Sequence, residues 1–378
     1  MIHWNEVTPY EEPRKKILPQ ITQVDGEPEM SEDESAFLCG LIRDSKPATV
    51  MEVGIAGGGT TAILLQCLSD LNYACTMYSV DVSERFYRDP GRKSGFLGEE
   101  ALKLIHPPKI RHEFLLGSVA CEWCDKKNIN GIDFLILDTA HIMPGEVLDL
   151  ITLLPYLKDG AVVVLHDTCF NTASTEKHGY ATSVLMAAVT ADRYLNFQYG
   201  DYCPNIAAFA VDQSTRDHVE QLFLALMVTW KYVPDSSQMD SYRRIVNRYY
   251  DKRLAGLFET IVSVQRASVL TWKKKYRFPF NLVKRGEKII LYGAGPAGQE
   301  AVRQVAETDW VDCAGWIDFR YDKYPDLRVE SPDILRTVDF DRIVIIICDD
   351  FDEKEIVRDL VSRYGVEDGK LLCDDPSI

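Results

Sequence analysis

The chain has 378 residues, is 46% hydrophobic and 26% charged, and carries a formal net charge of −16. This length suits two or three domains, and the composition excludes wholesale disorder. The acidity argues against nucleic acid as a partner, because like charge repels phosphate at long range. No apolar run reaches the ~18 residues of a membrane span. The first twenty residues, with Glu11, Glu12, Arg14 and Lys15, hold no apolar signal core, so no secretory leader is read. Ten cysteines lie scattered, several in apolar runs (Cys39, Cys67, Cys348), which fits reduced thiols and a cytoplasmic setting. The single C-x-x-C, Cys121 to Cys124, has no second pair at zinc-finger spacing.

Ser31 and Glu34 form a capping-box pattern, followed by apolar Phe37, Leu38, Leu41 and Ile42 at helical spacing, so a helix is predicted to end before Pro47. Strands and helices then alternate. Strands are predicted over 49–53, 76–80, 110–116, 132–137 and 161–165, and helices over 60–71, 98–105 (halted by Pro107-Pro108), 145–157 and 181–191. Segments 195–199 and 206–211 read as a closing hairpin around Pro204. The expectation is an α/β fold: a doubly wound Rossmann-like sheet with an antiparallel edge strand. Residues 214–272 show apolar positions at helical spacing only (Val219, Leu222, Phe223, Leu226; Leu254, Leu257, Phe258, Ile261). A second β/α series follows, with strands at 288–292, 312–317 and 342–348 and helices at 299–308 and 353–364.

Charge changes where the pattern does. Residues 1–212 hold 17 basic and 30 acidic residues, 213–285 hold 14 and 6, and 286–378 hold 11 and 22. Three parts are expected: an N-terminal α/β domain (1–212), a basic helical connector (213–285) and a small Rossmann-like domain (286–378).

Glu52-Val53-Gly54-Ile55-Ala56-Gly57-Gly58-Gly59-Thr60 lies where the first strand hands over to a helix. Glycines there allow close approach of a ligand, and the helix N-terminus favours a carboxylate or phosphate. Asp81 ends the next strand, Ser118 follows the third, Asp138 ends the fourth and His166-Asp167 end the fifth. With Val50-Met51-Glu52-Val53-Gly54, Ser79-Val80-Asp81, Leu137-Asp138-Thr139-Ala140-His141 and Val164-Leu165-His166-Asp167-Thr168, residues 30–212 resemble the class I S-adenosylmethionine-dependent methyltransferases. The nearest likeness is to metal-assisted O-methyltransferases of sugars and antibiotic precursors, including the cephalosporin-hydroxylase-like branch. The resemblance implies cofactor contacts at Glu52, Gly54, Gly57, Gly58, Thr60 and Asp81, with Ser118 near the adenine and Asp138 beside the cofactor. Relatives often read Asp-Gly-x-His where this chain has Asp138-Thr139-Ala140-His141.

Methyl transfer to oxygen needs the acceptor hydroxyl deprotonated or polarised and held in line with the methyl group. Asp138, His166 and Asp167 at neighbouring strand ends suit a divalent ion, Mg²⁺ or Mn²⁺. The alternative makes His141 or His166 a general base without metal, with Asp167 beside them; a third lets Asp138 and Asp167 merely cap turns. His178-Gly179-Tyr180 could line the acceptor pocket.

A second loop, Gly293-x-Gly295-x-x-Gly298, opens a helix, and Asp318 ends the following strand. By spacing this is a dinucleotide pattern, open to NAD, to a nucleotide-sugar or to a structural role. With Ile289-Ile290-Leu291-Tyr292, Ala314-Gly315-Trp316-Ile317-Asp318 and Ile343-Val344-Ile345-Ile346 it resembles small Rossmann-like modules of sugar-modifying enzymes, such as the N-terminal domain of sialic-acid-type acetyltransferases. The basic connector residues Lys273, Lys274, Lys275, Arg277, Lys284 and Arg285, interleaved with Tyr242, Tyr249, Tyr250, Trp272 and Tyr276, read either as a neutralising linker or as an anchor for an anionic glycan.

The function expected is methyl transfer from S-adenosylmethionine to a hydroxyl of a sugar or glycoconjugate, in polysaccharide or natural-product synthesis. The competing expectations are an NAD(P)-linked oxidoreductase or nucleotide-sugar-binding protein working through the second loop, and a non-catalytic scaffold. The partner is then a small-molecule or glycan acceptor, and a homo-oligomer is left open.

Overall fold

The computed structural model describes residues 7–105, 109–173, 179–195, 205–271, 276–347, 350–373 and 376. The chain divides into two compact units, Met1–Phe258 and Glu259–Ile378. The segment expected as a separate connector is therefore shared, with its helices up to residue 258 in the first unit.

The first unit opens with α1 (Glu12–Ile17) and α2 (Glu32–Ser45). The capping box at α2 is formed as expected, with Ser31 Oγ accepting from Glu34 N and Glu34 Oε2 accepting from Ser31 N. The helix stops at Lys46, in the left-handed region, just before Pro47. The alternation follows: β1 (Thr49–Val53), α3 (Gly59–Leu71), β2 (Cys75–Asp81), α4 (Phe96–Leu104), β3 (Ile110–Leu116), α5 (Ala120–Lys127), β4 (Ile132–Leu137), α6 (Gly145–Leu153), β5 (Leu157–His166), α7 (Phe170–Ala173), α8 (Ala181–Ala188), β6 (Arg193–Leu195) and β7 (Ile206–Ala210). Helix α5 escapes prediction, because its sequence, ACEWCDKK, has few apolar positions to mark a face. Short helices α9 (Gln213–Asp217) and α10 (Glu220–Ala225) precede α11 (Ser236–Tyr249) and α12 (Lys252–Thr271). Tyr242 on α11 is buried and Tyr250 donates to Ile151 O at 2.6 Å, so these two tyrosines serve packing.

Seven strands form one sheet in the order β3-β2-β1-β4-β5-β7-β6. All neighbours from β3 to β5 are parallel, and β7 runs antiparallel to both β5 and β6. The antiparallel strand is thus next to the edge, and the edge itself is β6. The sheet thus closes on the antiparallel hairpin expected from the sequence, with β7 as the arm that meets β5. The remainder of that hairpin, including Pro204, lies outside the described residues, as do His178, Pro107-Pro108, Trp272 to Lys275 and Cys348.

Register sets up the site. Val53 pairs with Val80 and with Leu137, and Leu137 pairs with Leu165. The next residues, Gly54, Asp81, Asp138 and His166, therefore stand in a row at the carboxyl edge of the sheet. The strands behind them are apolar and buried on both faces, from Val50 and Met51 through Phe134 to Val163 and Leu165.

The second unit has β8 (Lys288–Tyr292), α13 (Pro296–Ala306), β9 (Asp312–Ile317), β10 (Arg342–Ile345), α14 (Asp350–Tyr364) and β11 (Leu371–Cys373). Its four strands are all parallel, in the order β11-β10-β8-β9. Ile289 and Leu291 pack to one side, Ile290 and Tyr292 to the other.

Candidate active site

The loop after β1 is shaped by two carboxylates. Asp81 Oδ2 accepts from Ile55 N at 3.2 Å and Ala56 N at 3.3 Å, while its Oδ1 accepts from Ser83 N. Glu27, which no sequence pattern marks, accepts from Gly57 N at 2.8 Å and Gly59 N at 2.9 Å. A side chain on either glycine would collide with the Glu27–Pro28 segment. Gly58, at φ +91°, faces Gly95, and Gly58 N donates to Ile55 O. The loop is thus rigidly held, and the backbone donors from Ile55 to Gly59 are engaged within the chain. Burial pushes the Glu27 carboxyl up to about 7, against the pull of those two N–H groups. A ligand at this loop must therefore meet side chains more than backbone. The Thr60 side chain makes no hydrogen bond among the described residues and sits in the first turn of α3, where it can serve a carboxylate.

Glu52 is almost wholly buried behind the loop. Thr61 Oγ1 and Ser79 Oγ both donate to its Oε2, at 2.8 and 2.9 Å, which leaves Oε1 for another donor. Desolvation pushes this carboxyl up to about 8. A cationic ligand group, such as an amino acid's ammonium, would relieve that cost. An acid raised in this way favours the native state while protonated. Stability should therefore fall as pH rises from the ordinary carboxyl range, near 4.5, to about 8. Glu52→Gln should remove that part of the fall, giving a variant about 5 °C more heat-stable at pH 8.5 and no different near pH 4 in thermal melts. A variant that melts lower than wild type at pH 8.5 would contradict this account.

Asp138 and His166 meet at the ends of β4 and β5. His166 Nδ1 hydrogen-bonds Asp138 Oδ1 at 2.8 Å. His141, at φ +59°, places Nε2 3.6 Å from Asp138 Oδ1 and 3.2 Å from Asp167 Oδ2. Asp167, at φ +54°, is the second non-glycine residue of the cluster in the left-handed region, a strain typical of functional positions. Asp138, His141 and His166 each offer a ligand atom within 4.8 Å of the others. Two further acids come from outside the expected set. Glu146, fully buried at the start of α6, accepts from Thr139 Oγ1 and His141 N, both at 2.8 Å, and lies 3.1 Å from His141 Nδ1. Glu34 faces His166 Nε2 at 3.4 Å. Burial disfavours charge on both imidazoles, yet Asp138, Glu34 and Asp167 outweigh it at His166, and Glu146, Asp138 and Asp167 at His141, so both are shifted toward the imidazolium. His166 Nε2, His141 Nδ1 and Glu146 Oε2 remain buried without a hydrogen-bond partner among the described residues.

Other expected site residues are placed but occupied. Ser118 Oγ donates to Glu122 Oε2 at 2.9 Å, and Glu122 in turn is tied to Ser241 of α11. Cys121 and Cys124 are buried in α5, with burial pushing the Cys121 thiol up to about 12 and the Cys124 thiol up as well. Neither is a reactive thiolate, so that motif is packing. In the second unit Gly293, at φ +118°, turns the chain, and Gly298 packs on Gly293 O, where a side chain would stand 1.9 Å away. Gly295 faces open space. Asp318 is 4% exposed and both its oxygens accept backbone N–H groups, from Ala294 and Arg320. Asp318 thus shapes the loop after β8 as Asp81 shapes the loop after β1. Arg244 and Arg248 pair with Asp125, and Arg253 pairs with Glu220.

Residues 51–168 match a family model described as a methyltransferase domain. This segment is a methyltransferase domain. The methyltransferase sheet also resembles solved structures, though at low identity. An O-methyltransferase of Bacillus cereus, solved with S-adenosylhomocysteine, is 15% identical over 55% of this chain and 94% of its own, with a TM-score of 0.36. An O-methyltransferase of tomaymycin synthesis from Streptomyces achromogenes is 15% identical over 56% and 100%, at 0.34. A TDP-rhamnose 3′-O-methyltransferase of calicheamicin biosynthesis is 17% identical over 46% and 75%, at 0.35. No curated protein matches. Among the described residues no helix is long and apolar enough to cross a membrane.

Proposed function

We propose that the protein transfers a methyl group from S-adenosylmethionine to a hydroxyl of a sugar or glycoconjugate, with a divalent ion assisting. The observation that carries this reading is the cluster of Asp138, His141, His166 and Asp167 directly beside the glycine loop of a methyltransferase domain. S-adenosylmethionine supplies the electrophilic methyl group. Thr60 and the Oε1 of Glu52 suit the carboxylate and ammonium of its methionine part, and Asp81 suits the ribose side. The donor set fits a cation: four carboxylates (Glu34, Asp138, Glu146, Asp167) converge on two imidazoles, and His166 Nε2, His141 Nδ1 and Glu146 Oε2 are buried without a hydrogen bond among the described residues. Asp138, His166 and Asp167 would hold the ion, which lowers the pKa of a coordinated hydroxyl. His141 stands between Asp138 and Asp167, where it can accept or return the acceptor's proton once neutral. Its left-handed backbone and the Glu146 contact fix the ring toward that place.

Calorimetric titration with S-adenosylhomocysteine tests the cofactor half, and one-to-one micromolar binding is expected. Radiolabelled methyl transfer to a panel of monosaccharides, TDP-sugars and catechols, with and without Mg²⁺ or Mn²⁺, tests the rest. No binding by a folded sample would overturn the reading; transfer unchanged by chelation would leave the imidazoles as the base and remove the metal.

A further inference from the structure

The N3 residue of the α2 capping box reaches further than a cap requires. Glu34 Oε2 closes the box on Ser31 N at 2.7 Å. Its other oxygen accepts from Asn205 Nδ2 at 2.8 Å, and the same amide nitrogen donates to Asp167 Oδ1 at 2.7 Å. Asn205 immediately precedes β7. One side-chain amide thus bridges two carboxylates, from α2 and from the end of β5, that would repel each other without it. Glu34 Oε2 also stands 3.4 Å from His166 Nε2, the buried ring nitrogen with no hydrogen bond among the described residues. An acid needed only for its cap would sit in water, yet Glu34 is 7% exposed.

We propose that Glu34 is a positioning residue for methyl transfer: with Asn205 it fixes Asp167, and it holds the His166 ring from the side opposite Asp138. The inference rests on the cluster being the transfer site. Asp138 engages Nδ1 of the ring and Glu34 faces Nε2, so the ring is bounded by an acid at each nitrogen. Rotation of the imidazole would give up the Asp138 hydrogen bond while bringing carbon against Glu34. Through Asn205 the same carboxylate sets the distance between α2 and Asp167. The first turn of α2 thereby becomes part of the site, although it lies more than a hundred residues away in sequence.

Cap and grip can be separated. Glutamine serves at N3 of a capping box as glutamate does, so Glu34→Gln keeps the helix start and removes the charge. Ser31→Ala weakens the cap and touches neither Asn205 nor His166. Nitrogen-15 spectra of the histidine rings, recorded on the full chain and assigned with His166→Asn, read the grip without reference to activity. In Glu34→Gln the His166 signals should move, transfer to the best acceptor of the panel should fall about tenfold or more, and S-adenosylhomocysteine affinity should stay within about twofold. Asn205→Ala should lower transfer similarly, which keeps the test open if one variant folds poorly. Ser31→Ala should lower the melting temperature with the His166 signals and the rate retained. Unmoved His166 signals in Glu34→Gln, or loss of rate in Ser31→Ala equal to that in Glu34→Gln, would overturn the proposal. A wild-type protein that transfers to no acceptor would overturn the transfer reading, while the ring spectra still decide whether Glu34 holds His166.

Discussion

Gly54→Ala is expected to weaken S-adenosylhomocysteine binding about a hundredfold and to lower the melting temperature by about 5 °C or more. Gly54 has φ +88°, where an added side chain costs about 1–2 kcal/mol in backbone strain alone. Collision costs more: a Cβ there would stand 1.8 Å from Asp138 O and 2.6 Å from its carbonyl carbon. Backbone cannot rotate away as a flexible side chain can, so the ends of β1 and β4 must separate. That motion displaces the loop after β1 and Asp138 together, and both binding and rate should suffer. Calorimetry and a thermal melt on the same sample check it. Affinity within about threefold of wild type would mean that the loop after β1 is not the cofactor site.

Asp138→Asn should act differently, on rate and not on cofactor affinity. The asparagine oxygen can still accept from His166 Nδ1, so the pair of strand ends keeps its geometry. What disappears is the buried negative charge set between His166 and His141. Burial opposes that charge, and the two imidazoles outweigh it and hold the Asp138 carboxyl below its ordinary range. Without the charge neither a cation nor a positioned imidazole keeps its counterpart, and turnover should fall by about 10²–10³. Binding of S-adenosylhomocysteine should change by about threefold or less, since the backbone of Asp138, not its carboxylate, abuts the loop at Gly54. Single-turnover transfer measured beside calorimetry separates the two. A variant with full turnover would exclude Asp138 from the reaction.

Much of this frame is legible in the sequence because it is local. The strands β1, β3 and β4 each finish on an apolar residue followed at once by glycine or a polar residue, so the strand ends are marked by composition alone. The capping box at Ser31 and Glu34 spans three residues and forms as its pattern predicts. Boundaries blur where a local signal is shared. Leu154-Pro155-Tyr156 leaves α6 as a short 3-10 turn, because proline cannot continue the helix, and β5 starts at Leu157, earlier than its apolar run suggests.

The partners of those residues were not legible. Glu27 reaches Gly57 across 30 positions and Asn205 reaches Glu34 across 171, and neither carries a motif of its own. Glu146 looks like any first-turn acid until α6 is seen to bring it against His141. The sequence by itself determined the strand–helix alternation, the glycine loop and the row of polar residues at the carboxyl edge, since each depends on periodicity and chain stiffness over a few residues. Only the tertiary structure decided which polar atoms stay free for chemistry. Ser118 stands at a strand end as expected, yet its hydroxyl is taken by Glu122, whereas His166 Nε2 and His141 Nδ1 face carboxylates without a hydrogen bond among the described residues. A burial-driven fold fixes where a side chain emerges, but its availability depends on every other donor and acceptor packed around it.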